Sequence, residues 1–263
     1  MMRNPAALGM FYPSDRKKLE SQLKGFFSET KEDNCRAVIS PHAGYIYSGQ
    51  GAAHAIASLK KSKSFVILGP NHTGLGKRFS VFPEGGWRTP FGDVRINSGL
   101  AKKLLECQHL EEDTMAHMNE HSIEVQLPFL QYKFKEFDFV PICVMGLEYS
   151  DRLLDVCKGI ADAVAKTNAT VIVSSDFSHF LSLEESNEKD NMALEKIKKL
   201  DPEGFFETLD RIDASICGYA SIAVLLFLAK KLGLKPDIIH KSNSGEVSGD
   251  YNRVVTYYAI GFR

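Results

Sequence analysis

One segment of the chain reads Phe65-Val66-Ile67-Leu68-Gly69-Pro70-Asn71-His72. Its first four residues form a continuous apolar run, which is typical of a strand that is covered on both faces. Gly69 and Pro70 then favour a turn, and a histidine follows that turn. The segment therefore predicts a buried strand of a parallel sheet, with an imidazole just beyond the carboxyl end of the strand.

The same pattern occurs twice more in the chain. It appears in shorter form as Val38-Ile39-Ser40-Pro41-His42, and again in residues 171–179, which begin with a β-branched run and end at His179. In open α/β sheets, ligands bind in the crevice beyond the carboxyl ends of the strands. Neutral imidazole is the commonest metal ligand and titrates near physiological pH. Three histidines in this context favour a metal or acid/base site over three local loop caps.

Strand and helix patterns alternate along the chain. Further apolar bursts predict strands at 37–39, 139–144, 171–173 and 254–260. Apolar spacing of three and four residues predicts helices at 14–27, 125–132, 150–166 and 220–232. This alternation implies right-handed crossovers between strands of one sheet. We therefore predict an α/β fold, a single-domain (1–263) three-layer sandwich with helices on both faces of a largely parallel or mixed sheet. The turn-rich stretch 73–122 is interpreted as an excursion from that sheet.

Composition and charge narrow the class of protein. The 263 residues carry 32 Lys and Arg against 33 Asp and Glu, a net charge of −1, which excludes a strong field for nucleic acid or anionic lipid. The longest apolar run, 220–229, is shorter than the roughly 20 residues of a membrane span. The first residues do not resemble a signal peptide, and five cysteines without a CxxC pair indicate reduced thiols. We expect a cytoplasmic protein with neither nucleic acid nor membrane among its partners.

One cysteine differs from the other four in its context. Cys217 lies just before an apolar helix, and a helix N-terminus lowers the pKa of a thiol, which favours a thiolate ligand or nucleophile. Burial as a small apolar residue is the equally weighted alternative. The other cysteines lie in or beside strand and helix patterns and are assigned to packing or surface.

Two stretches have the spacing of known catalytic or binding motifs but lack other features that those motifs require. His117-Met118-Asn119-Glu120-His121 has the H-x-x-E-H spacing of an inverted zinc-protease motif, but the polar stretch around it lacks the helical face that this chemistry needs. Residues 69–74 have the spacing of a phosphate loop, yet Leu75 stands where its lysine belongs. The pair Glu120-His121 is retained as a candidate for the crevice, with Ser122 predicted to cap the following helix.

Several ordered motifs together resemble one family, the Memo family, also described as AmmeMemoRadiSam system protein B. The resemblance extends over roughly residues 5 to 262. It rests on Gly9-x-Phe11-Tyr12-Pro13, Pro41-His42-Ala43-Gly44-Tyr45, Gly69-Pro70-Asn71-His72, Arg88-Thr89-Pro90-Phe91-Gly92, Glu120-His121-Ser122-Ile123-Glu124, Ser175-Asp176-Phe177-Ser178-His179, Ile216-Cys217-Gly218 and Ser244-Gly245-x-x-Ser248-Gly249-Asp250.

The resemblance implies a fold like that of the class III extradiol dioxygenases, which bind a non-haem ferrous ion on two histidines and a glutamate. Mapped motif by motif, His42 and His72 are the expected metal ligands, and Cys217 takes the place of the third. His179, Asp176 and His121 are the expected catalytic residues, and Tyr45 and Glu120 the expected substrate contacts. Iron(II) is the expected metal, with copper or zinc as alternatives because a thiolate is a softer ligand than a carboxylate. The resemblance also implies a functional link to radical SAM and AMMECR-type proteins.

Two further functions stay open beside iron- or copper-dependent redox chemistry. The missing glutamate ligand favours a catalytically inactive pocket that acts as a binding module for a peptide or small molecule. For that module we expect an aromatic rim formed by Tyr12, Tyr45 and Trp87. Zinc-dependent hydrolysis is the remaining alternative.

Overall fold

A computed structural model describes residues 1–146 and 148–263 of the chain. Its strands belong to one sheet. They are β1 (Met2–Arg3), β2 (Ala37–Ser40), β3 (Ser64–Gly69), β4 (Phe79–Val81), β5 (Gly86–Thr89), β6 (Gly92–Ile96), β7 (Glu111–Glu112), β8 (Asp138–Val144), β9 (Thr170–Ser174), β10 (His179–Leu181), β11 (Pro236–Asn243) and β12 (Val254–Phe262).

The sheet is mixed, with a parallel centre. Its main path runs β1-β5-β6-β8-β3-β9-β2-β12-β10, and the four central strands β8, β3, β9 and β2 are parallel to one another. Beyond β2, strand β12 pairs antiparallel with β2, β10 and β11. The three strands that precede the candidate histidines therefore lie side by side, in the order β3, β9, β2.

Helices connect and cover these strands. They are α1 (Arg16–Phe27), α2 (Tyr45–Ser58), α3 (Ser98–Leu104), α4 (Met115–Met118), α5 (Leu127–Phe134), α6 (Asp151–Ala165), α7 (Leu183–Lys198), α8 (Pro202–Arg211), α9 (Tyr219–Leu232) and α10 (Gly245–Ser248), with a 3₁₀ turn at Glu124–Gln126. The helix predicted from residue 14 begins as expected, since Asp15 caps it by accepting a hydrogen bond from the Lys18 N–H at 2.8 Å.

Both faces of the sheet are packed against helices. Along β3, Val66 and Leu68 join one apolar core with α6 and α9, whereas Phe65 and Ile67 join a second core with α1, α2 and α5. Successive side chains of a strand point to opposite faces, so a strand buried on both sides is apolar throughout. The predicted three-layer α/β fold is confirmed.

The interpretation of 73–122 as an excursion from the sheet is wrong. Strands β5 and β6 extend the sheet beyond β8, where Arg95 and Ile96 pair in parallel with Asp138 and Phe139. These strands are short, and their residues alternate between buried and exposed positions, so that they carry no continuous apolar run. The pattern that identifies a central strand is therefore absent at this edge.

Within the described ranges, no helix combines the length and the apolar character that crossing a bilayer requires.

Candidate metal centre

The carboxyl ends of three neighbouring strands bring the predicted residues to one crevice. His42 follows β2 by two residues, His72 follows β3 by three, and Asp176 follows the intervening β9 by two. The imidazole centroids of His42 and His72 are 5.3 Å apart. His121 comes from the segment between α4 and α5, and its centroid is 5.5 Å from that of His42. Adjacent parallel strands therefore explain why residues distant in sequence meet here.

Cys217 completes a set of three potential ligands with His42 and His72. Its Sγ lies 3.2 Å from His42 Nε2, and one potential ligand atom from each of the three residues lies within 4.8 Å of the other two. His42 is buried, Cys217 is half-buried and His72 is exposed. The set therefore reaches from the protein interior to the solvent, as a site with an entry path requires.

A glycine allows Cys217 to approach the end of β9. A Cβ on Gly218 would lie 2.5 Å from Ser175 Cβ and 2.7 Å from Ser174 O, so a larger residue would force the two segments apart. With glycine in place, the Asp176 N–H donates to Cys217 Sγ at 3.2 Å. The Asp176 carboxylate in turn accepts from the His42 N–H at 2.8 Å. Asp176 thus joins the backbone of His42 to the sulfur of Cys217.

The thiol of Cys217 does not have the lowered pKa expected at a helix N-terminus. Removal from bulk water and the nearby Asp176 carboxylate raise the pKa of Cys217 above its ordinary value. The residue precedes α9 by two positions, and Gly218 is the N-cap. Desolvation therefore outweighs the effect of the helix end, and burial favours the neutral thiol over the thiolate.

Glu120 lies between two imidazoles. Its Oε1 is 2.9 Å from His72 Nδ1 and 3.4 Å from His121 Nδ1, and the two rings are stacked with centroids 4.8 Å apart. Since a carboxylate only accepts hydrogen bonds, Nδ1 is the protonated nitrogen of His72, and its Nε2 is left for the crevice. Glu120 is 1% exposed. This placement supports orientation of the histidines by Glu120 and speaks against the substrate contact predicted for it.

The pKa values in this cluster follow from burial and from mutual charge. Burial raises the pKa of Glu120, but the hydrogen bond from His72 and the charges of His72 and His121 outweigh it and lower the pKa to about 2. Burial lowers the pKa of His72, and the hydrogen bond and charge of Glu120 reverse this into a net increase. Burial dominates at His42 and His121, whose pKa values are lowered. Neutral imidazoles at these two positions are suited to bind a metal.

His179 lies at the edge of the same crevice. Its Nδ1 is 2.8 Å from the Ser215 carbonyl oxygen, so Nδ1–H donates there. Its charge contributes to lowering the pKa of both His42 and Asp176. Burial nonetheless raises the pKa of Asp176 to about 6. Asp176 is thus a carboxyl group able to exchange a proton near neutral pH, as its predicted acid/base role requires.

The protease-like spacing at 117–121 is not built on one helix, as predicted. Helix α4 ends at Met118, before Glu120 and His121. His117 points elsewhere, with its Nδ1 3.4 Å from Cys143 Sγ in the core. Ser122 is not a helix cap, because its Oγ donates to the Pro70 carbonyl at 2.9 Å and the 3₁₀ turn begins at Glu124.

The aromatic rim predicted for a binding module is wrong. Tyr12, Tyr45 and Trp87 are 3%, 2% and 0% exposed, because all three belong to the core beneath α2 and α5. The Tyr45 hydroxyl donates to the Val125 carbonyl at 2.6 Å, which speaks against the substrate contact predicted for Tyr45. Phe11 instead packs on His121, with ring centroids 4.3 Å apart.

Two polar residues next to His42 were missed by the sequence analysis. Ser174 Oγ is 2.9 Å from His42 Nδ1, and Gln126 Nε2 donates to the same Ser174 Oγ at 2.9 Å. Ser174 carried a positional signal in the sequence, because it directly follows the apolar run 171–173, as Ser40 follows the run 37–39. Gln126 carried none, since it lies in an otherwise apolar helical segment.

The donor set fits a first-row transition metal. It offers two imidazoles and one sulfur, ligand types that suit iron, copper and zinc, whereas magnesium and calcium prefer oxygen ligands. A second set, formed by His72, Glu120 and His121, shares one histidine with the first. In that set the Glu120 Oε1 already accepts the Ser122 N–H at 2.8 Å and faces both Nδ1 atoms, so the Cys217 set is the better one.

A comparison with family models matches residues 3–261 to the Memo-like protein family. The chain belongs to the Memo family. Curated relatives agree, because a MEMO1 family protein of Methanosarcina barkeri is 44% identical over 98% of this chain and 99% of its own length. Another, from Thermoplasma volcanium, is 40% identical over 99% of this chain and 98% of its own.

The fold also occurs in a solved structure of low sequence identity. An uncharacterized protein, JW3007, from Escherichia coli K12 superposes with a TM-score of 0.57 at 12% identity, covering 85% of this chain and 98% of that one. At this identity the likeness concerns the fold alone. It agrees with a mixed sheet covered by helices on both faces.

Proposed function

We propose that this Memo family chain is a metalloprotein that binds one transition-metal ion on His42, His72 and Cys217 and carries out redox chemistry on a small molecule. Iron(II) is the metal we favour, with copper and zinc as competitors. The observation that carries the proposal is the convergence of two imidazoles and a thiol, one ligand atom of each within 4.8 Å of the others, at a strand-end crevice. Clusters of this kind, with a half-buried cysteine and an exposed histidine, are accessible to a cation from solvent.

A ferrous ion on two histidines and a carboxylate, with open positions, supports oxygen activation in non-haem enzymes, and in this chain the Cys217 thiolate would take the place of the carboxylate. The residues of this chain supply the surroundings for such chemistry. Glu120 holds His72 by its Nδ1–H, as outer carboxylates commonly do for metal-bound histidines. The Asp176 carboxylate accepts a hydrogen bond from the His42 N–H, and the Asp176 N–H donates to Cys217 Sγ. His179 is oriented by the hydrogen bond from its Nδ1–H to the Ser215 carbonyl and is the group we assign to hold or move the substrate proton.

Metal content tests the proposal directly. The protein is purified without oxygen, and iron, copper and zinc are measured per chain for the wild type and for the double variant His42→Ala/His72→Ala. We expect stoichiometric metal in the first and none in the second. The control is His54→Ala/His240→Ala, which removes another pair of neighbouring imidazoles, stacked 4.5 Å apart between α2 and β11. Equal metal content in both double variants would refute the proposal.

The cysteine has its own matched comparison. Cys217 and Cys107 are both partly exposed free thiols. Cys107 follows α3 and packs against the apolar core that contains α6 and α9. We expect Cys217→Ser to lose most of the bound metal and Cys107→Ser to retain it.

Oxygen uptake separates redox chemistry from pure binding. Iron-loaded protein is supplied with catechols, and oxygen consumption is recorded against the His179→Ala variant. Consumption that falls in the variant supports the redox proposal, whereas metal binding without uptake favours the binding-module alternative. The predicted link to radical SAM and AMMECR-type proteins stays a prediction of the family membership.

A further inference from the structure

We propose that Ser174 is a positioning residue that holds His42 in one tautomer, with the proton on Nδ1 and the lone pair on Nε2. The significance of this tautomer rests on the proposed metal function, but the tautomer itself does not. Ser174 and its neighbours Gln126 and Ser122 are all fully buried, so that their hydrogen bonds are made within the protein. Each bond has a direction that the chemistry of its partners determines.

The orientation of the Gln126 amide comes first. Its Nε2 lies 2.9 Å from the Pro41 carbonyl oxygen, and a carbonyl oxygen only accepts hydrogen bonds. The nitrogen of the amide must therefore face Pro41, and its oxygen accepts from Ser40 Oγ at 2.8 Å. With this orientation, the second N–H of Gln126 donates to Ser174 Oγ at 2.9 Å.

The direction of the Ser174 hydroxyl follows. Its Oγ has three neighbours, which are Gln126 Nε2 at 2.9 Å, the Ser122 carbonyl oxygen at 2.7 Å and His42 Nδ1 at 2.9 Å. The Gln126 amide nitrogen only donates hydrogen bonds and the Ser122 carbonyl oxygen only accepts them. A serine hydroxyl has one proton to donate and two lone pairs that accept. If the proton goes to Ser122, both lone pairs are used, one by Gln126 and one by His42. If it goes to His42, the buried Ser122 carbonyl loses this donor, which is a costly arrangement.

His42 therefore donates through Nδ1, and its Nε2 is the unprotonated nitrogen. That atom lies 3.2 Å from Cys217 Sγ, so it accepts a hydrogen bond from the Cys217 thiol. The lone pair that a metal needs is thus already directed at the second ligand before any metal arrives. The opposite tautomer would place an N–H at this position and block it. Preorganised outer partners of this type fix the orientation of metal-bound histidines and strengthen binding.

The tautomer can be measured in the metal-free protein. Long-range ¹⁵N–¹H NMR correlation spectra of ¹⁵N-histidine-labelled protein distinguish the two nitrogens of each ring, and His42→Ala assigns the signal. We expect a protonated Nδ1 and an unprotonated Nε2 at His42. A protonated Nε2 would overturn the inference, and this readout depends on no variant folding except the one used for assignment.

Variants test the role of the hydroxyl. Ser174→Ala removes the acceptor of Nδ1–H, so we expect the Nε2–H tautomer to become populated and the zinc affinity, measured by competition with a chromophoric chelator, to fall about 10- to 100-fold. Ser174→Thr retains a hydroxyl and should restore both. Ser58→Ala is the matched control, since Ser58 is also a buried serine but its hydroxyl donates to the Ala55 carbonyl within its own helix, α2. An unchanged tautomer and affinity in Ser174→Ala would overturn the assigned role.

The outcomes also separate this inference from the proposed function. A wild-type protein with the expected tautomer but without zinc, iron or copper binding would support the tautomer assignment and refute the metal proposal. A wild-type protein that binds metal but shows a protonated Nε2 at His42 in its metal-free form would refute the tautomer assignment and support the metal proposal.

Discussion

A buried ion pair joins the first residues of the chain to the segment that carries Glu120, and its removal should destabilise the protein strongly. Arg3 and Glu124 are both 0% exposed, and their Nη1 and Oε2 atoms are 2.7 Å apart. Glu124 also accepts from the backbone N–H groups of Ala6 and Ala7 and from the Tyr12 hydroxyl. The pair thus fastens the chain's first residues, including the Phe11 that covers His121, to the segment that carries Glu120.

The variant Glu124→Gln keeps the shape of the side chain and removes its charge. Breaking a buried pair by removing one partner leaves an uncompensated charge and costs about 3–5 kcal/mol of unfolding free energy. Asp162→Asn is a matched control, since the Asp162 carboxylate lies at the same 2.7 Å from Lys231 Nζ but with side chains 47% and 50% exposed. For an exposed pair of this type we expect a loss of about 1 kcal/mol or less.

Urea denaturation followed by circular dichroism measures both changes. We expect Glu124→Gln to lower the midpoint clearly more than Asp162→Asn, with similar slopes in both. If the two variants lose equal stability, the reasoning that burial makes the Arg3–Glu124 pair indispensable is refuted.

Two further predictions concern the site. Glu120 has a pKa lowered from its ordinary 4.5 to about 2, so its contribution to stability is complete above pH 4.5 and is lost as the pH falls towards 2. Glu120→Gln should therefore remove on the order of 3 kcal/mol of acid-dependent stability, seen as a flatter dependence of the urea midpoint on pH; an unchanged dependence would contradict the assignment. Gly218→Ala should cost about 1–3 kcal/mol in thermal unfolding, because its Cβ would lie 2.5 Å from Ser175 Cβ. Gly25→Ala, in α1 with nothing within 4 Å of its Cβ, should instead stabilise by about 0.5–1 kcal/mol, and equal effects of the two would argue against the close approach at Gly218.

The central strands and their histidines were predictable because their signals are local. A strand such as β3, which is covered on both faces, contains a continuous apolar run, and Gly69-Pro70 at its end favour a turn. The order β3, β9, β2 was not predictable, since pairing is decided by crossovers and not by the strands' own residues. It is this order that turns three separate histidine motifs into one crevice.

Other features depend on contacts that no local pattern records. The edge strands β5 and β6 are too short and too polar to be distinguished from turns. For Cys217 the sequence favoured a thiolate at a helix N-terminus and burial as a small apolar residue equally, because the pKa of its thiol depends on desolvation and on Asp176, which is 41 residues away in the chain. Gln126 and Ser174 act through a hydrogen bond between residues 48 positions apart. Such pairs are visible only once the chain is folded.

The central claim is that Cys217 and two histidines bind one metal ion, and X-ray absorption at the zinc edge tests it most directly. Protein loaded with one equivalent of zinc should show one sulfur neighbour at about 2.3 Å and nitrogen neighbours at about 2.0–2.1 Å. The sulfur should disappear in Cys217→Ser and remain in Cys107→Ser. A first shell of nitrogen and oxygen alone in the wild type, or a sulfur that survives Cys217→Ser, would contradict the claim.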